Sequence, residues 1–159
     1  MLIFRALSSA DAMEEWATFC AECFSLKSPP PPASYFLWHY ENDPMSSPSD
    51  VFVAEDEGKI VGTCRIFRRN LVGVGACGGI GEVCTAASHR GEGISRKVMT
   101  MALKVMRADN TDVALLHAAE PFRGFYAKLG FAACPAITQV KLDVDLGIGD
   151  GADVRPIAE

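Results

Sequence analysis

A loop that contains two glycines carries the clearest chemical signal in the sequence. It reads Arg90-Gly91-Glu92-Gly93-Ile94-Ser95, with Arg96 and Lys97 directly after it, and it lies between a strand pattern and a helix pattern. The first turn of a helix has unpaired backbone N–H groups and a partial positive charge, and glycines let the backbone approach a phosphate closely. The segment therefore predicts an anion site suited to a pyrophosphate. The alternative is an ordinary strand–helix turn with basic side chains at the surface.

The elements that must position this loop follow from the apolar periodicity of the chain. Strand patterns cover residues 3–7, 51–54, 60–72, 80–86, 113–118 and 137–144, and helix patterns run to about residue 24 and over residues 33–40, 91–107 and 121–129. A glycine-rich connection is expected over residues 73–79. Hairpin strands followed by a strand–helix–strand unit are typical of an α/β (α+β) fold. We therefore expect a mixed, mostly antiparallel sheet flanked by about four helices on both faces.

Length and composition limit the possible classes of protein. The chain has 159 residues, of which 49% are hydrophobic and 22% charged, and this predicts one globular domain with a sizeable core. Residues 1–146 are expected to form that domain, and residues 147–159 a Gly- and Asp-rich tail or linker. The net charge of −5 argues against binding to nucleic acid. No apolar run approaches the roughly 20 residues of a membrane span, so no membrane partner is expected.

Two further patterns resemble known binding sites but lack their context. Residues 73–78 satisfy G-x-G-x-x-G, yet a strand rather than a helix follows them, which excludes the dinucleotide-binding fingerprint. Cys20 and Cys23 form a C-x-x-C in mid-helix without a second pair, so no metal site is expected there. The six cysteines are predicted to be reduced, mostly buried thiols, as in a cytoplasmic protein.

Two motifs together resemble the GNAT superfamily of acetyl-CoA-dependent N-acyltransferases. The loop from Arg90 to Ser95 is similar to the family's acetyl-CoA loop, [Q/R]-x-x-G-x-[G/A], and Phe125-Tyr126-Ala127-Lys128-Leu129-Gly130-Phe131 is similar to its F/L-Y-x-K-x-G-F signature. The resemblance covers residues 3–144 and implies a single GNAT-like domain. Gly78-Gly79 and Pro121-Phe122-Arg123 are also similar to the N-terminal domain of Eis-type (enhanced intracellular survival) acetyltransferases. Ser95 departs from the loop pattern, and Ala119 stands where many members have Asn.

The resemblance implies acetyl-CoA as cosubstrate and no metal. Backbone groups of Val83, Cys84 and Thr85 would pair with the pantetheine amides as an added strand does. The residues expected to hold the pyrophosphate are Arg90, Gly91, Glu92, Gly93, Ile94, Ser95 and Arg96.

The resemblance also implies that an amine attacks the thioester directly. Tyr126 occupies the position that usually protonates the departing thiolate, and its alternative role is to pack against the sheet. A protonated amine must first lose a proton, and Glu82 is the leading candidate base. His117, Glu120 and water relays to solvent remain open as alternatives to Glu82.

The first two helices and their loop border the acceptor site in this family. That implies an acceptor site formed by residues 29–32 with Phe36, Trp38 and Tyr40, with Phe122 nearby. Aromatic side chains in an acidic protein suit a cationic amine, although these residues could equally belong to the core. His39 is expected at the surface.

The expected function is thus acetyl transfer from acetyl-CoA to an amine of a small molecule or a protein, by a chain that could form a homodimer. Two alternatives stay open. The first is a non-catalytic acyl-CoA-binding or sensor domain, and the second is one domain of a longer acetyltransferase.

Overall fold

The computed structural model describes residues 1–25 and 29–134. The strand expected over residues 137–144 and the tail expected over residues 147–159 lie outside the described residues. The strands are β1 (Ile3–Ala6), β2 (Val51–Asp56), β3 (Lys59–Leu71), β4 (Gly75–Thr85) and β5 (Val113–Leu116). The helices are α1 (Met13–Cys23), α2 (Ala33–Glu41), α3 (Ile94–Ala108) and α4 (Arg123–Ala127), with 3₁₀ turns at Pro48–Asp50, Ala87–His89 and Glu120–Phe122.

The five strands form one sheet in the order β1-β2-β3-β4-β5. The first three pairs are antiparallel, and β4 pairs with β5 in parallel. A parallel neighbour requires a crossover, which α3 supplies between β4 and β5. The sheet is therefore mixed and mostly antiparallel, and the predicted α/β class is confirmed.

Helices cover both faces of this sheet because β2 is apolar on both sides. In β2, Phe52 and Ala54 belong to a core cluster with α3, whereas Val51 and Val53 belong to a second cluster with α1 and α2. This alternation follows the two-residue period of a strand. The site described below lies where β4 passes between the two layers.

Two strand glycines bring α3 close to the sheet. A Cβ at Gly62 would collide with Ile94 at the start of α3, and a Cβ at Gly78 would collide with Met106 near its end. Glycine in a strand often marks such a close approach. The beginning of α3 is thus held directly against β3.

The glycine-rich segment after β3 is mostly strand rather than connection. The sequence predicts a connection over residues 73–79, but β4 begins at Gly75, and Gly78 and Gly79 pair with β3. Composition suggested a loop because glycine is depleted in strands. The packing of Met106 against Gly78 explains why small residues stand there.

Candidate active site

A bulge in β4 interrupts the regular pairing of this strand with β3. Thr63 pairs with Cys84 and Arg65 pairs with Gly81, so two β4 residues, Glu82 and Val83, face a single β3 residue. The extra residue bends the strand at that point. Glu82 takes up the irregularity with a φ of 55°, which is uncommon for a residue other than glycine.

The pairing between β4 and β5 stops at the residue before Gly81. Its last pair is Ile80 with Leu116, so residues 81–85 of β4 have no strand neighbour on the β5 side within the described part of the chain. β5 itself ends at Leu116, which leaves a gap beside the rest of β4 in the described structure. An extended ligand with amide groups could enter this gap and pair with the β4 backbone as a further strand does.

The loop after β4 is open to an anion. Gly91 and Gly93 have φ values of 89° and 78°, which favour glycine, and nothing lies within 4 Å of where their Cβ atoms would be. No side chain caps the N terminus of α3, and no acidic residue lies in its first turn. The backbone N–H groups there are available to a pyrophosphate.

The base of the loop is closed by a side-chain hydrogen bond. The hydroxyls of Thr85 and Ser95 lie 2.6 Å apart, and the Ala86 amide donates to the Val61 carbonyl at 2.9 Å. Ser95, the residue that departs from the family's loop pattern, therefore joins the end of β4 to the first turn of α3. A glycine or alanine at that position could not make this bond.

The charged side chains around the loop are exposed to solvent, and one of them, Lys97, points away from the loop. Arg90, Glu92 and Arg96 are exposed, whereas Ile94 is part of the core against β3. The Lys97 ammonium lies 3.8 Å from the centre of the Phe4 ring, which directs it toward β1. The exposed arginines are the cations free to approach a phosphate.

Glu82 is a buried carboxyl beside a buried cation. Its side chain is 11% exposed, and one of its oxygens lies 3.8 Å from a guanidinium nitrogen of Arg65, which is 1% exposed. Burial raises the pKa of Glu82 to about 7, and the charge of Arg65 opposes that rise. A carboxyl that is part-ionised near neutral pH can accept a proton from an ammonium group.

Arg65 is held by rings and by one carboxylate. It lies 4.3 Å from the centre of Phe67 and 5.1 Å from that of Tyr40, and it donates to Asp43 at 3.2 Å. Its Nε and Nη1 atoms, and the second oxygen of Glu82, are buried without a hydrogen-bond partner in the described structure. These unsatisfied polar atoms mark a place where a buried water molecule would be stabilised.

Tyr126 approaches the bulge from the opposite face of the sheet. It is half-buried in α4 and packs against the core cluster of α3, with ring centres 5.0 Å from Phe125 and 6.2 Å from Phe131. Burial raises the pKa of Tyr126, and the neighbouring Cys64 adds to the effect. Cys64 is the β3 residue that faces the bulge. Glu82 and Tyr126 therefore flank the opening from its two sides.

Cys84 contributes its backbone rather than a nucleophile to this region. A hydrogen bond that the Cys84 thiol donates to Cys20, together with burial, raises the pKa of that thiol, so it stays protonated near neutral pH. The other candidate bases lie at the surface: His117 is exposed, and the Glu120 carboxylate accepts from Arg123 at 2.9 Å.

A cleft of about 540 Å³ opens on the α1 and α2 side of the sheet and reaches Glu82. Its described lining consists of six aromatic or proline residues with one histidine and one glutamate: Phe24, Pro29, Pro31, Tyr35, Phe36, His39, Phe67 and Glu82. Of the residues expected at the acceptor site, Phe36 and the two prolines lie here.

Three other residues expected at the acceptor site lie outside this lining. Trp38 is 61% exposed, Phe122 is 58% exposed, and Tyr40 packs on Trp16 and Arg65. Tyr35 and His39, which the sequence interpretation did not select, line the cleft instead. The spacing of Tyr35, Phe36 and His39 places all three on one side of α2, and this spacing could have predicted that they line the cleft together.

Comparison with a family model identifies the family to which this chain belongs. The model for the acetyltransferase (GNAT) domain matches residues 4–134. The chain belongs to the GNAT acetyltransferase family. It is therefore a transferase domain, and the resemblance of its two motifs is confirmed.

Solved structures share this GNAT fold at low sequence identity. Glucosamine-6-phosphate N-acetyltransferase from Arabidopsis thaliana matches with a TM-score of 0.69 and 20% identity over 91% of this chain and 99% of that one. A predicted acetyltransferase with acetyl-CoA from Clostridium acetobutylicum matches with a TM-score of 0.67 and 18% identity, over 89% of this chain and 96% of that one. An aminoglycoside acetyltransferase from an uncultured soil metagenomic sample, in complex with trehalose, matches with a TM-score of 0.69 and 18% identity, over 90% of this chain and 96% of that one. Comparison with curated protein sequences gives no match.

Two negative findings concern the described residues of this GNAT domain. None of their helices is long and apolar enough to cross a membrane. Nor do residues 1–25 and 29–134 contain a group of three His, Cys, Asp or Glu side chains that could hold a metal ion.

Proposed function

We propose that this GNAT domain transfers an acetyl group from acetyl-CoA to a primary amine by direct attack. The observation that carries the proposal is the opening of β4 at the bulge, directly before a glycine loop and an uncapped helix. A strand edge and an anion site joined end to end match the two halves of acetyl-CoA, which are an amide-containing arm and a pyrophosphate.

Acetyl-CoA would be held mainly by the backbone. Val83, Cys84 and Thr85 offer their free edge to the pantetheine arm, and residues 91–96 offer N–H groups to the pyrophosphate. The side chains of Arg90 and Arg96 add positive charge at that end. Open space over Gly91 and Gly93 supports this assignment, since a Cβ at either position would point into the region that a phosphate needs.

Glu82 is the proposed general base. An ammonium group must lose a proton before its nitrogen can attack, and a carboxyl with a pKa of about 7 accepts that proton near neutral pH. The new bond joins the amine nitrogen to the acetyl carbon, and the bond between that carbon and sulfur breaks. The ammonium group loses two protons in total. A net one of these protonates the sulfur, and the other is released.

Tyr126 is the proposed donor to the departing thiolate. Its ring lies on the α3 side of the sheet near Cys64, whereas Glu82 faces the α1 and α2 side. This arrangement would let the acceptor enter from the cleft while the sulfur leaves toward Tyr126. Burial raises the pKa of Tyr126, so the phenol stays protonated at the pH at which Glu82 is ionised.

We place this activity in the cytoplasm. All six cysteines are free thiols, and the three that lie around α1 and the bulge, Cys20, Cys23 and Cys84, stay unpaired although they are neighbours. Unpaired neighbouring thiols support a reducing compartment.

Calorimetric titration with acetyl-CoA, CoA, NAD and ATP tests the cosubstrate. We expect acetyl-CoA and CoA to bind far more tightly than the two nucleotides, because only they have an arm to pair with β4. At about 100 times its dissociation constant, acetyl-CoA should add about 2.7 kcal/mol to the free energy of unfolding. Equal binding of NAD and CoA would contradict the assignment of the β4 edge.

A further inference from the structure

We propose that the acceptor is a small aromatic monoamine, that is, a primary amine with one positive charge attached by a short chain to a flat apolar ring. The inference rests on the proposed acetyl transfer and assigns a substrate class to the cleft that reaches Glu82. It is carried by the composition of the cleft walls and by the scarcity of charge among them.

The cleft is lined by an aromatic wall, which we define as Phe24, Tyr35, Phe36 and Phe67. Phe24 stacks on Phe36 with ring centres 5.9 Å apart, and Tyr35 meets Phe36 edge to face at 5.2 Å. Tyr35 also meets the His39 ring at 4.4 Å, so the surface is continuous along α2. Rings arranged in this way bind a further flat ring through offset or edge contacts.

Phe67 extends the aromatic wall to the carboxyl of Glu82. Its ring lies over the backbone at Gly81, where a Cβ would come within 2.8 Å of the ring. Gly81 is the residue directly before Glu82, so the wall and the base are neighbours. An amine nitrogen near Glu82 and a ring against the wall are therefore separated by only a short chain.

The charges of the eight described lining residues favour an acceptor with one positive group. Glu82 is the single carboxylate of the described lining, and no lysine or arginine is among those eight residues. Arg65 lies behind Phe67 and Glu82, and its side chain is 1% exposed, so it is not presented to the cleft. Among the described lining residues, a second ammonium or a phosphate would meet no side chain of opposite charge, which is costly in an apolar environment.

This charge pattern separates the present cleft from two acceptor classes. An aminoglycoside has several ammonium groups, and glucosamine 6-phosphate has a dianionic phosphate; the lining offers one carboxylate to the first and no lysine or arginine to the second. Aromatic rings do attract a single ammonium group, which supports a monoamine. A volume of about 540 Å³ falls in the usual range for small-molecule sites.

A panel of amines at saturating acetyl-CoA tests the substrate class. The panel contains phenethylamine, propylamine, glucosamine 6-phosphate, kanamycin and a lysine peptide, and each is assayed for CoA release and for the acetylated product. We expect phenethylamine to be turned over with a kcat/KM about 10- to 100-fold above that of each other amine, the gain from burying one ring. Binding of acetyl-CoA is measured separately by calorimetry.

The outcomes distinguish this inference from the proposed function. Preferred turnover of glucosamine 6-phosphate, kanamycin or the peptide would overturn the substrate class and leave acetyl transfer intact. Binding of acetyl-CoA with neither turnover nor calorimetric binding of phenethylamine would also overturn the substrate class. Failure to bind acetyl-CoA would overturn the proposed function itself.

A variant of the aromatic wall gives a second, independent test. Tyr35 is 49% exposed, so Tyr35→Ala should fold, and it removes one ring from the wall. We expect the KM for phenethylamine to rise about 5- to 10-fold while the KM for acetyl-CoA stays unchanged. Ser34→Ala, an exposed neighbour on α2 outside the lining, is the matched control. An unchanged preference for phenethylamine over propylamine in Tyr35→Ala would overturn the inference.

Discussion

Replacing Glu82 by glutamine should make the protein more stable at alkaline pH while removing its proposed base. The carboxyl is buried, and its pKa lies at about 7 rather than the ordinary 4.5, so the folded state prefers the protonated form. Glutamine resembles that form in shape and cannot ionise. The variant therefore escapes an electrostatic cost that the wild-type protein bears above neutral pH.

The sign and size of the effect follow from the two pKa values. Below about pH 4.5 the carboxyl is protonated in both states and has no effect. As the pH rises, the unfolded chain ionises first, so the stability falls until the folded carboxyl also ionises at about pH 7. Between about pH 5 and about pH 8 the loss is roughly 2.5 kcal/mol, at about 1.4 kcal/mol for each pKa unit.

Urea unfolding of both proteins at these two pH values measures the difference. We expect Glu82→Gln to gain about 2–3 kcal/mol relative to the wild type on going from about pH 5 to about pH 8. Glu57→Gln is the matched control, since Glu57 also has a positive φ, of 50°, but is exposed in the turn after β2. The free energy of unfolding of this control should change between the two pH values by the same amount as that of the wild type. If the free energy of unfolding of Glu82→Gln also changed by the same amount as that of the wild type, the claim that burial raises the pKa of Glu82 would be refuted.

Three further predictions concern the other parts of the site. Tyr126→Phe should lower kcat about 10²-fold or more with little change in acetyl-CoA affinity, because the hydroxyl is proposed to act only on the leaving thiolate; titration and steady-state kinetics check this, and lost affinity would show that Tyr126 shapes the site structurally instead. Gly93→Ala and Gly73→Ala have matching φ values of 78° and 75° with open space around them, so both should lose about 1–2 kcal/mol of stability, but calorimetry should find weaker CoA binding only for Gly93→Ala. Trp38→Ala should leave amine kinetics unaltered in contrast to Tyr35→Ala, and a raised KM would return Trp38 to the acceptor site.

The element order and the loop could be predicted because they depend on local signals. Apolar periodicity indicated the strands and helices of the described residues, and Gly91 and Gly93 before an amphipathic helix indicated a loop that needs glycine at the start of α3. The role of Ser95 could not be predicted in this way. Its partner Thr85 is ten residues away in sequence, and their contact depends on how the loop folds back.

The bulge and the environment of Glu82 could not be read from the sequence. A bulge is defined by the register between two strands, and nothing in residues 81–84 fixes how they pair with β3. The pKa of Glu82 depends on burial beneath α1 and α2 and on Arg65, a residue of the neighbouring strand. Selection of Glu82 as a candidate base thus came from the family resemblance, whereas the reason for its pKa comes from tertiary packing.

The acceptor side was harder to predict because aromatic composition does not tell which side of a helix faces a cleft. Tyr35, Phe36, Trp38 and Tyr40 are all aromatic and lie within six consecutive residues of α2. Only the docking of α2 on the sheet decides that Tyr35 and Phe36 line the cleft, whereas Trp38 is exposed and Tyr40 packs inward on Arg65.

The central claim is that this domain catalyses acetyl transfer to an amine. The most direct measurement incubates the protein with acetyl-CoA and phenethylamine and quantifies free CoA thiol and N-acetylated amine together, for the wild type and for Tyr126→Phe. We predict equal amounts of the two products from the wild type and a rate about 10²-fold lower from the variant. Tight binding of acetyl-CoA without either product, across the amine panel, would contradict the claim and identify an acyl-CoA-binding domain without transferase activity.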